Sequence, residues 1–235
     1  MEKVPKHVGI IMDGNRRFAR KLMMKPWMGH EWGAKKLRSV LEWSKELGIK
    51  EVTFYAFSIQ NFNRPKYEFD YLMDVFCKEF DDLMKDENLS KLKQDGVRID
   101  FIGRLSMFSE KVHSRMIKIM ELTKENDKYH IHFAMAYGGR EEVLDAVQKI
   151  AEQVKKGKLD VSAVNEETFA KNLYLNSDPD LVIRTGGERR TSNFLTWQST
   201  YSELIFLDKP WPELEKEDYI AAIQEYSKRE RRFGK

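Results

Sequence analysis

The chain has 235 residues, 41% of them hydrophobic, and a formal net charge of +3. That is apolar material for one substantial core and too little net charge for bulk nucleic-acid binding. The single cysteine, Cys77, cannot form an internal disulfide, which fits a reducing cytoplasm, and no apolar run approaches the ~18 residues of a membrane span. The expectation is a soluble cytoplasmic protein, a single domain over residues 1–235, with any membrane contact peripheral.

Residues 8–12 are a short apolar run that reads as a buried strand, after which the polarity flips to Asp13-Gly14-Asn15-Arg16-Arg17. In an α/β protein such a flip marks the carboxyl end of a strand, where ligands bind. Gly14 permits a sharp turn, Asn15 suits a helix N-cap, and the helix start offers unpaired N–H groups to an anion beside Arg16, Arg17 and Arg20. Asp13 would repel an anion unless a divalent cation bridges them, and Mg²⁺ commonly binds one or two carboxylates plus phosphate oxygens. The plainer reading makes Asp13 and Asn15 caps of a helix whose arginines face solvent.

Residues 21–32, with Met23, Met24, Trp27 and Met28 around Pro26 and Gly29, read as a mobile connection with apolar side chains to bury. A helix follows over 34–47, stopped by Gly48, and a strand over 51–57. A long helical pattern over 67–94 breaks near 88–90. Strands are expected at 97–102, 130–137, 181–183 and 203–207, and helices at 109–126, 139–155, 166–173 and 216–229. Strands alternating with helices imply a parallel sheet covered on both faces. The polar and Gly-rich clusters after the first, second, fourth and fifth strands therefore converge on one sheet edge.

Three further clusters carry chemistry. Ser58 and Asn61 are neutral hydrogen-bonding groups beyond the second strand, followed by Arg64, a fixed guanidinium fork suited to phosphate, with Glu68 four residues on to hold it. Arg184-Thr185-Gly186-Gly187-Glu188 follows the fifth strand. There two glycines admit backbone N–H groups to a diphosphate, and Arg184, Arg190 and Ser192 are donors. Ordinary turns with solvated arginines explain the pieces singly, less well for Arg184, which follows a buried strand directly. His7, His113, His130 and His132 show no metal-ligand spacing.

His7-Val8-Gly9-Ile10-Ile11-Met12-Asp13-Gly14-Asn15-Arg16-Arg17-Phe18-Ala19-Arg20 resembles the opening signature of the cis-prenyltransferases, the undecaprenyl and dehydrodolichyl diphosphate synthase family. Tyr55 to Pro65, Arg184 to Ser192, Tyr201-Ser202-Glu203-Leu204 and Arg229 to Gly234 extend the resemblance in order over essentially the whole chain. It implies a six-stranded, mostly parallel α/β sheet flanked by helices. It also implies a homodimer that condenses isopentenyl diphosphate with an allylic primer, farnesyl or geranylgeranyl diphosphate, using Mg²⁺ and giving a cis-polyprenyl diphosphate for lipid carriers. By position, Asp13, Ser58 and Asn61 are implied in catalysis, and Gly14, Asn15, Arg16, Arg17, His30 and Arg64 at the allylic diphosphate. Arg184, Arg190 and Ser192 fall at the isopentenyl diphosphate, with Arg232 and Gly234 reaching it from the neighbouring subunit, and Asp13 with Glu203 at the metal. Pro26 stands where many members carry a diphosphate-binding arginine, with Lys25 as the candidate substitute. Arg16 and Ala136 depart from the bacterial pattern.

Other readings compete. An all-α trans-prenyl synthase needs two Asp-rich helical motifs, and Asp81-Asp82-Leu83-Met84-Lys85-Asp86 is only a near miss. A non-catalytic partner subunit would tend to lack Asp13, Asn61, Arg64 and Arg184. An RNA-binding module lacks aromatic–basic interleaving on an exposed sheet. For the apolar tail of a prenyl product, the stripe Phe69, Leu72, Met73, Phe76, Phe80, Leu83 and Met84 is the candidate channel wall, with ordinary core packing as the alternative.

Overall fold

The computed structural model describes residues 3–229. Along it run β1 (His7–Ile11), α1 (Asn15–Lys21), α2 (Gly29–Glu46), β2 (Glu51–Ser58), α3 (Lys66–Leu83), α4 (Asp86–Asp95), β3 (Val97–Ile102) and α5 (Glu110–Thr123). Then come β4 (Tyr129–Tyr137), α6 (Gly139–Lys155), α7 (Glu166–Ala170), β5 (Leu181–Arg184), β6 (Glu203–Phe206) and α8 (Lys216–Lys228). The strands pair in parallel in the order β3-β4-β2-β1-β5-β6. The chain builds outward from β1 through β2 and its neighbours, then returns to the other side of β1 with β5. The order reverses between β1 and β5, and the crevice at their carboxyl ends is where such sheets place ligands.

Both faces of the sheet are covered, so its strands are apolar throughout rather than alternating. Val8 and Ile10 of β1, with Leu181 and Ile183 of β5, join a core to which α2, α3, α5 and α8 contribute Val40, Leu72, Met116 and Ile223. Ile11 and Val182 point the other way, into a smaller cluster with Tyr137, Phe194 and Leu195. Phe54, Phe57 and Trp211 are buried in the larger core, and full burial of a phenylalanine stabilises by roughly 1.5–3 kcal/mol.

Three local expectations are corrected. Residues 26–28 form a 3₁₀ turn and α2 begins at Gly29, so most of the expected mobile connection is helical. Gly29 and Gly33 are there for contact: a Cβ on either would stand 2.0 Å from the Asn15 carbonyl oxygen or 2.4 Å from its Oδ1. The long helix breaks at Met84-Lys85, before Asn88, which belongs to the next helix and donates to the Asp82 carbonyl at 2.7 Å. Gly14, with φ 101°, takes the N-cap position of α1, and Asn15 is its first helical residue. A Cβ on Gly14 would lie 2.7 Å from the Pro210 Cα.

His7 is buried at the start of β1, its Nε2 2.8 Å from Thr53 Oγ1 and its Nδ1 3.8 Å from Glu51. Burial pushes its pKa down to about 4, against the pull of the Glu51 carboxylate. Burial opposes ionisation of Glu51, but the hydrogen bond from His132, the His7 charge and Ser177 hold it at about 2. An unfolded histidine near its ordinary 6.5 takes up a proton before the folded one does. His7's contribution is therefore whole above pH 6.5 and lost as the pH falls toward 4. That of Glu51 is whole above 4.5 and lost as the pH falls toward 2. Urea unfolding at pH 7 and pH 5 should differ by about 2 kcal/mol on account of His7 alone. His7→Asn should remove about 2 kcal/mol of that pH dependence and leave the part due to His30, whose pKa is likewise pushed down; an equal slope in both proteins would rule His7 out as a source.

Candidate active site

The β1–β5 crevice is closed by an ion pair. Arg184, last residue of β5, is 5% exposed and donates from Nη2 to Asp13 Oδ2 at 2.9 Å. Its Nη1 donates to the Arg190 carbonyl at 2.5 Å and to Ser192 Oγ at 2.7 Å. Asp13 Oδ1 accepts from the Gly14 amide at 2.6 Å, and Oδ2 also lies 3.4 Å from Arg17. Thr185 Oγ1 accepts from the Asp13 amide at 3.1 Å and donates to its carbonyl at 2.8 Å. Glu188 then stands between Arg17 at 3.7 Å and Arg190 at 2.5 Å.

A second cluster lies where α1, α2 and α3 begin. Arg64 donates to the buried Glu68 carboxylate at 2.5 Å and lies 3.4 Å from His30 Nε2, while Arg16 Nε is 3.8 Å from the same carboxylate. Two guanidinium groups thus share one carboxylate and leave donors for an anion. Burial, then Arg64 and Arg16, push His30 down to about 3, so the imidazole is neutral. The first intrahelical donor of α1 is the Phe18 amide, bonding to the Gly14 carbonyl, so the preceding amides of Asn15, Arg16 and Arg17 have no partner within the helix.

This cluster opens on an apolar cavity of about 250 Å³ between α2, α3 and the sheet. Asn15, His30 and Arg64 line one end; Leu37, Leu72, Phe76, Phe80 and Phe133 line its depth. The expected stripe divides. Leu72, Phe76, Phe80 and Leu83 reach the cavity, joined by Val75 and Glu79. Phe69 instead packs its ring 5.5 Å from Phe62 and 6.1 Å from Phe57, and Met73 and Met84 pack against the core.

The structure gathers Asp13, Gly14, Asn15, Arg16, Arg17, His30 and Arg64 on one side of the crevice mouth and Arg184, Arg190 and Ser192 on the other. Ser58 and Asn61 form a reciprocal cap: Ser58 N–H donates to Asn61 Oδ1 at 2.9 Å and Ser58 Oγ accepts from the Asn61 amide. Lys25 is not drawn in. It is exposed, its ammonium 5.6 Å from the Trp27 ring centre. Glu203 is not brought to Asp13 either. It is the first residue of β6, in register with Leu181, at the sheet end opposite Asp13, and it pairs with Arg229 at 2.7 Å. Arg232 and Gly234 lie outside the described residues. Sequence reasoning missed Thr185 as a clamp and Trp211, whose amide donates to the Asp13 carbonyl at 2.8 Å and whose indole donates to Gly33 at 2.9 Å. Pro210-Trp211-Pro212 signals a turn, but nothing local to it signals its partner.

Among the described residues no three His, Cys, Asp or Glu side chains gather as a metal site. A half-exposed lone carboxylate at a cationic crevice nevertheless suits Mg²⁺, which completes its shell with water and substrate phosphate rather than with a protein cage. Asp13 is the residue that fits, its Oδ2 reached so far only by guanidinium groups.

Two arginine clusters facing one crevice, one at the mouth of an apolar cavity, are what a transferase acting on diphosphate esters of apolar chains requires. Comparison with known proteins agrees. The family model described as putative undecaprenyl diphosphate synthase matches residues 11–234. A relative from Methanopyrus kandleri, named tritrans,polycis-undecaprenyl-diphosphate synthase (geranylgeranyl-diphosphate specific), is 49% identical over 99% of this chain and 86% of its own. An isoprenyl transferase from Thermotoga maritima is 47% identical over 99% and 97%. The crystal structure of lavandulyl diphosphate synthase from Lavandula x intermedia, in complex with dimethylallyl diphosphate, matches with a TM-score of 0.92 at 34% identity, covering 99% of each chain. This chain belongs to the undecaprenyl diphosphate synthase family, the cis-prenyltransferases, and is a prenyl diphosphate synthase.

Asp13 holds the buried Arg184 and is the carboxylate that would hold the metal, and two substitutions separate these duties. Asp13→Ala strands the buried Arg184 charge and should destabilise the fold by about 3 kcal/mol. Asp13→Asn keeps an acceptor for Arg184 Nη2 but loses the counter-charge and the acceptor for the Gly14 amide, so it should melt between wild type and Asp13→Ala, while turnover falls roughly 100-fold or more in both. Thermal melts and initial rates on both proteins check this. An active Asp13→Asn enzyme would remove the carboxylate from the chemistry.

Proposed function

We propose that this chain elongates geranylgeranyl diphosphate by successive cis additions of isopentenyl diphosphate, yielding a polyprenyl diphosphate for lipid-carrier synthesis. The observation that carries the reading is the meeting of the Arg16–Arg64–Glu68–His30 cluster with one end of the apolar cavity. The allylic head rests on the cluster and its tail fills the cavity. Arg184, Arg190 and Ser192 hold isopentenyl diphosphate across the crevice. The geranylgeranyl-specific names of the relatives from Methanopyrus kandleri and Thermococcus kodakarensis support that primer over farnesyl diphosphate.

The reaction breaks the allylic C–O bond, the isopentenyl double bond attacks the allylic carbon, and a proton leaves the condensed chain. Arg16 and Arg64 stabilise the charge that develops on the departing diphosphate, with the first amides of α1 beside them. Asn61 has its Oδ1 committed to the Ser58 amide, so it presents its Nδ2 donor while Ser58 orients it beside the step that loses the proton. Mg²⁺, held by Asp13 and diphosphate oxygens, supplies further charge neutralisation when bound. The reading includes a homodimer in which Arg232 and Gly234 reach the neighbouring isopentenyl site, and peripheral membrane contact through the lipid product. Purified protein given labelled isopentenyl diphosphate, Mg²⁺ and either primer should form long products faster from geranylgeranyl diphosphate. Equal use of farnesyl diphosphate would overturn the primer assignment, and no incorporation from either would overturn the function.

The cavity lining makes product length readable. Phe76→Ala removes a ring from the wall and should shift products toward longer chains. Phe69→Ala removes one from the core, and should destabilise by about 3 kcal/mol with the product distribution unchanged. Chromatography of the products with parallel urea melts checks both. Identical distributions from the wild type and Phe76→Ala would place the growing tail elsewhere.

A further inference from the structure

The turn after α1 exposes side chains that neither the fold nor the site uses. Met23 is 97% exposed, and its φ of 54° lies in the left-handed region that disfavours a methionine. Leu22, Trp32 and Tyr67 are 46%, 45% and 59% exposed. They cluster around the turn at residues 26–28, which packs against both α1 and α3. The Leu22 amide bonds to Phe18, whose ring lies edge-on to Trp32 at 5.7 Å, and Trp27 of the following turn packs 4.9 Å from Tyr67.

The charge on this face is cationic. Arg20 has no ion-pair partner among the described residues, and Lys25 meets only the Trp27 ring. Of the neighbouring carboxylates, Asp70 is paired by Lys66 at 2.6 Å and Glu213 by Lys21 at 2.7 Å; Glu31 accepts from the neutral Tyr71 hydroxyl at 2.6 Å and keeps its charge, one anion against Arg20, Lys25 and Lys35, whose ammonium lies 5.3 Å from the Trp32 ring centre. The face also borders the cavity mouth. The helix of Trp32 supplies His30, Ala34 and Leu37 to the cavity, and the helix of Tyr67 starts just after Arg64.

We propose that Leu22, Met23, Trp32 and Tyr67, flanked by Arg20 and Lys25, form a docking face for an anionic lipid bilayer. Apolar side chains standing in water with cations in excess around them match the chemistry of a lipid interface: side chains enter the acyl boundary while cations meet headgroup phosphates. A protein partner would have to supply both an apolar pocket and anions, whereas an anionic bilayer supplies both everywhere. The placement rests on the proposed function in one respect: a finished product released head first through the cavity mouth draws its apolar tail out there, and a bilayer at that face takes it up without its crossing water.

The test is co-sedimentation, without substrates, with vesicles of phosphatidylcholine plus phosphatidylglycerol and with vesicles of phosphatidylcholine alone. Wild type should bind the mixed vesicles, less so in high salt, and bind the neutral vesicles weakly. Leu22→Ser with Met23→Gly should bind the mixed vesicles roughly a hundredfold more weakly, since each of the two side chains withdrawn from water counts for about a factor of ten. Glycine suits the left-handed position, so this variant should melt no lower than wild type. Arg20→Ser should bind more weakly with a shallower salt dependence. Absent wild-type binding, or equal binding by the Leu22/Met23 variant, would overturn the proposal. So would a change in oligomeric state of that variant in lipid-free sedimentation velocity, which would assign the face to a second copy. Product formation in detergent, measured on the same proteins, judges the enzymatic reading separately.

Discussion

The ion pair between Asp13 and Arg184 is the constraint on which the site depends. It joins the carboxyl ends of β1 and β5, where the strand order reverses. A guanidinium does not lose its proton in a protein, so Arg184, once buried, needs an acceptor, and Asp13 is the one across the crevice. Its Nη1 is spent on the 190–192 segment, and its Nε is buried without a partner. That segment carries backbone few residues adopt willingly: Ser192, Asn193 and Leu195 all have positive φ. It keeps this shape because Arg184 grips one end and Asn193 is tied to the start of α6, accepting from the Gly139 and Arg140 amides. Strain of this kind persists where the surroundings over-determine it.

Two balances of charge follow. Around Arg184, Asp13 and Glu188 offset Arg17, Arg184 and Arg190. Around Arg64, Glu68 alone offsets Arg16 and Arg64, and His30 stays neutral because its burial and those arginines suppress its proton. Each cluster holds more cationic than anionic charge, so each gains from an arriving anion. The carboxylates keep the forks aimed meanwhile, a preorganisation that spares the reaction the work of orienting donors as charge develops.

What could be read from the sequence was local or periodic. β1, β2 and the register-independent convergence of their ends follow from apolar runs, and Arg64–Glu68 follows from helical spacing. What could not be read was partnership across long separations. Nothing near Trp211 says that its amide will hold Asp13, and nothing near Thr185 says that its hydroxyl will do the same. Glu203 shows the same limit from the other side. A motif beside a strand does not tell which end of that strand faces the ligand; the parallel register with Leu181 does. Gly29 and Gly33 read as punctuation, because a glycine chosen for close approach to another helix looks locally like one chosen for a turn. The Met84-Lys85 break was hidden because Asn88, the visible breaker, caps the preceding helix from inside the next.

The cavity walls differ in kind. On the sheet side, Phe101 and Phe133 line the cavity with their ring centres 5.5 Å apart, and Phe133 stacks in turn on the fully buried Phe54 behind it at 5.7 Å. Between α2 and α3 the closure is polar: Arg38 reaches Glu79 at 2.8 Å and Asp82 at 2.6 Å, with half of Arg38 in solvent. Exposed pairs of that sort contribute about 1 kcal/mol or less, whereas parting a packed aromatic layer forfeits several times that. The two helices are therefore the yielding wall and the sheet the fixed one. In the proposed reaction, a tail advancing from Arg64 past Phe76 and Phe80 would keep one side on an unchanging apolar floor while the helix side accommodated its length. The diphosphate, in that same reading, would stay where α1, α2 and α3 begin, on the rigid carboxyl edge of the sheet.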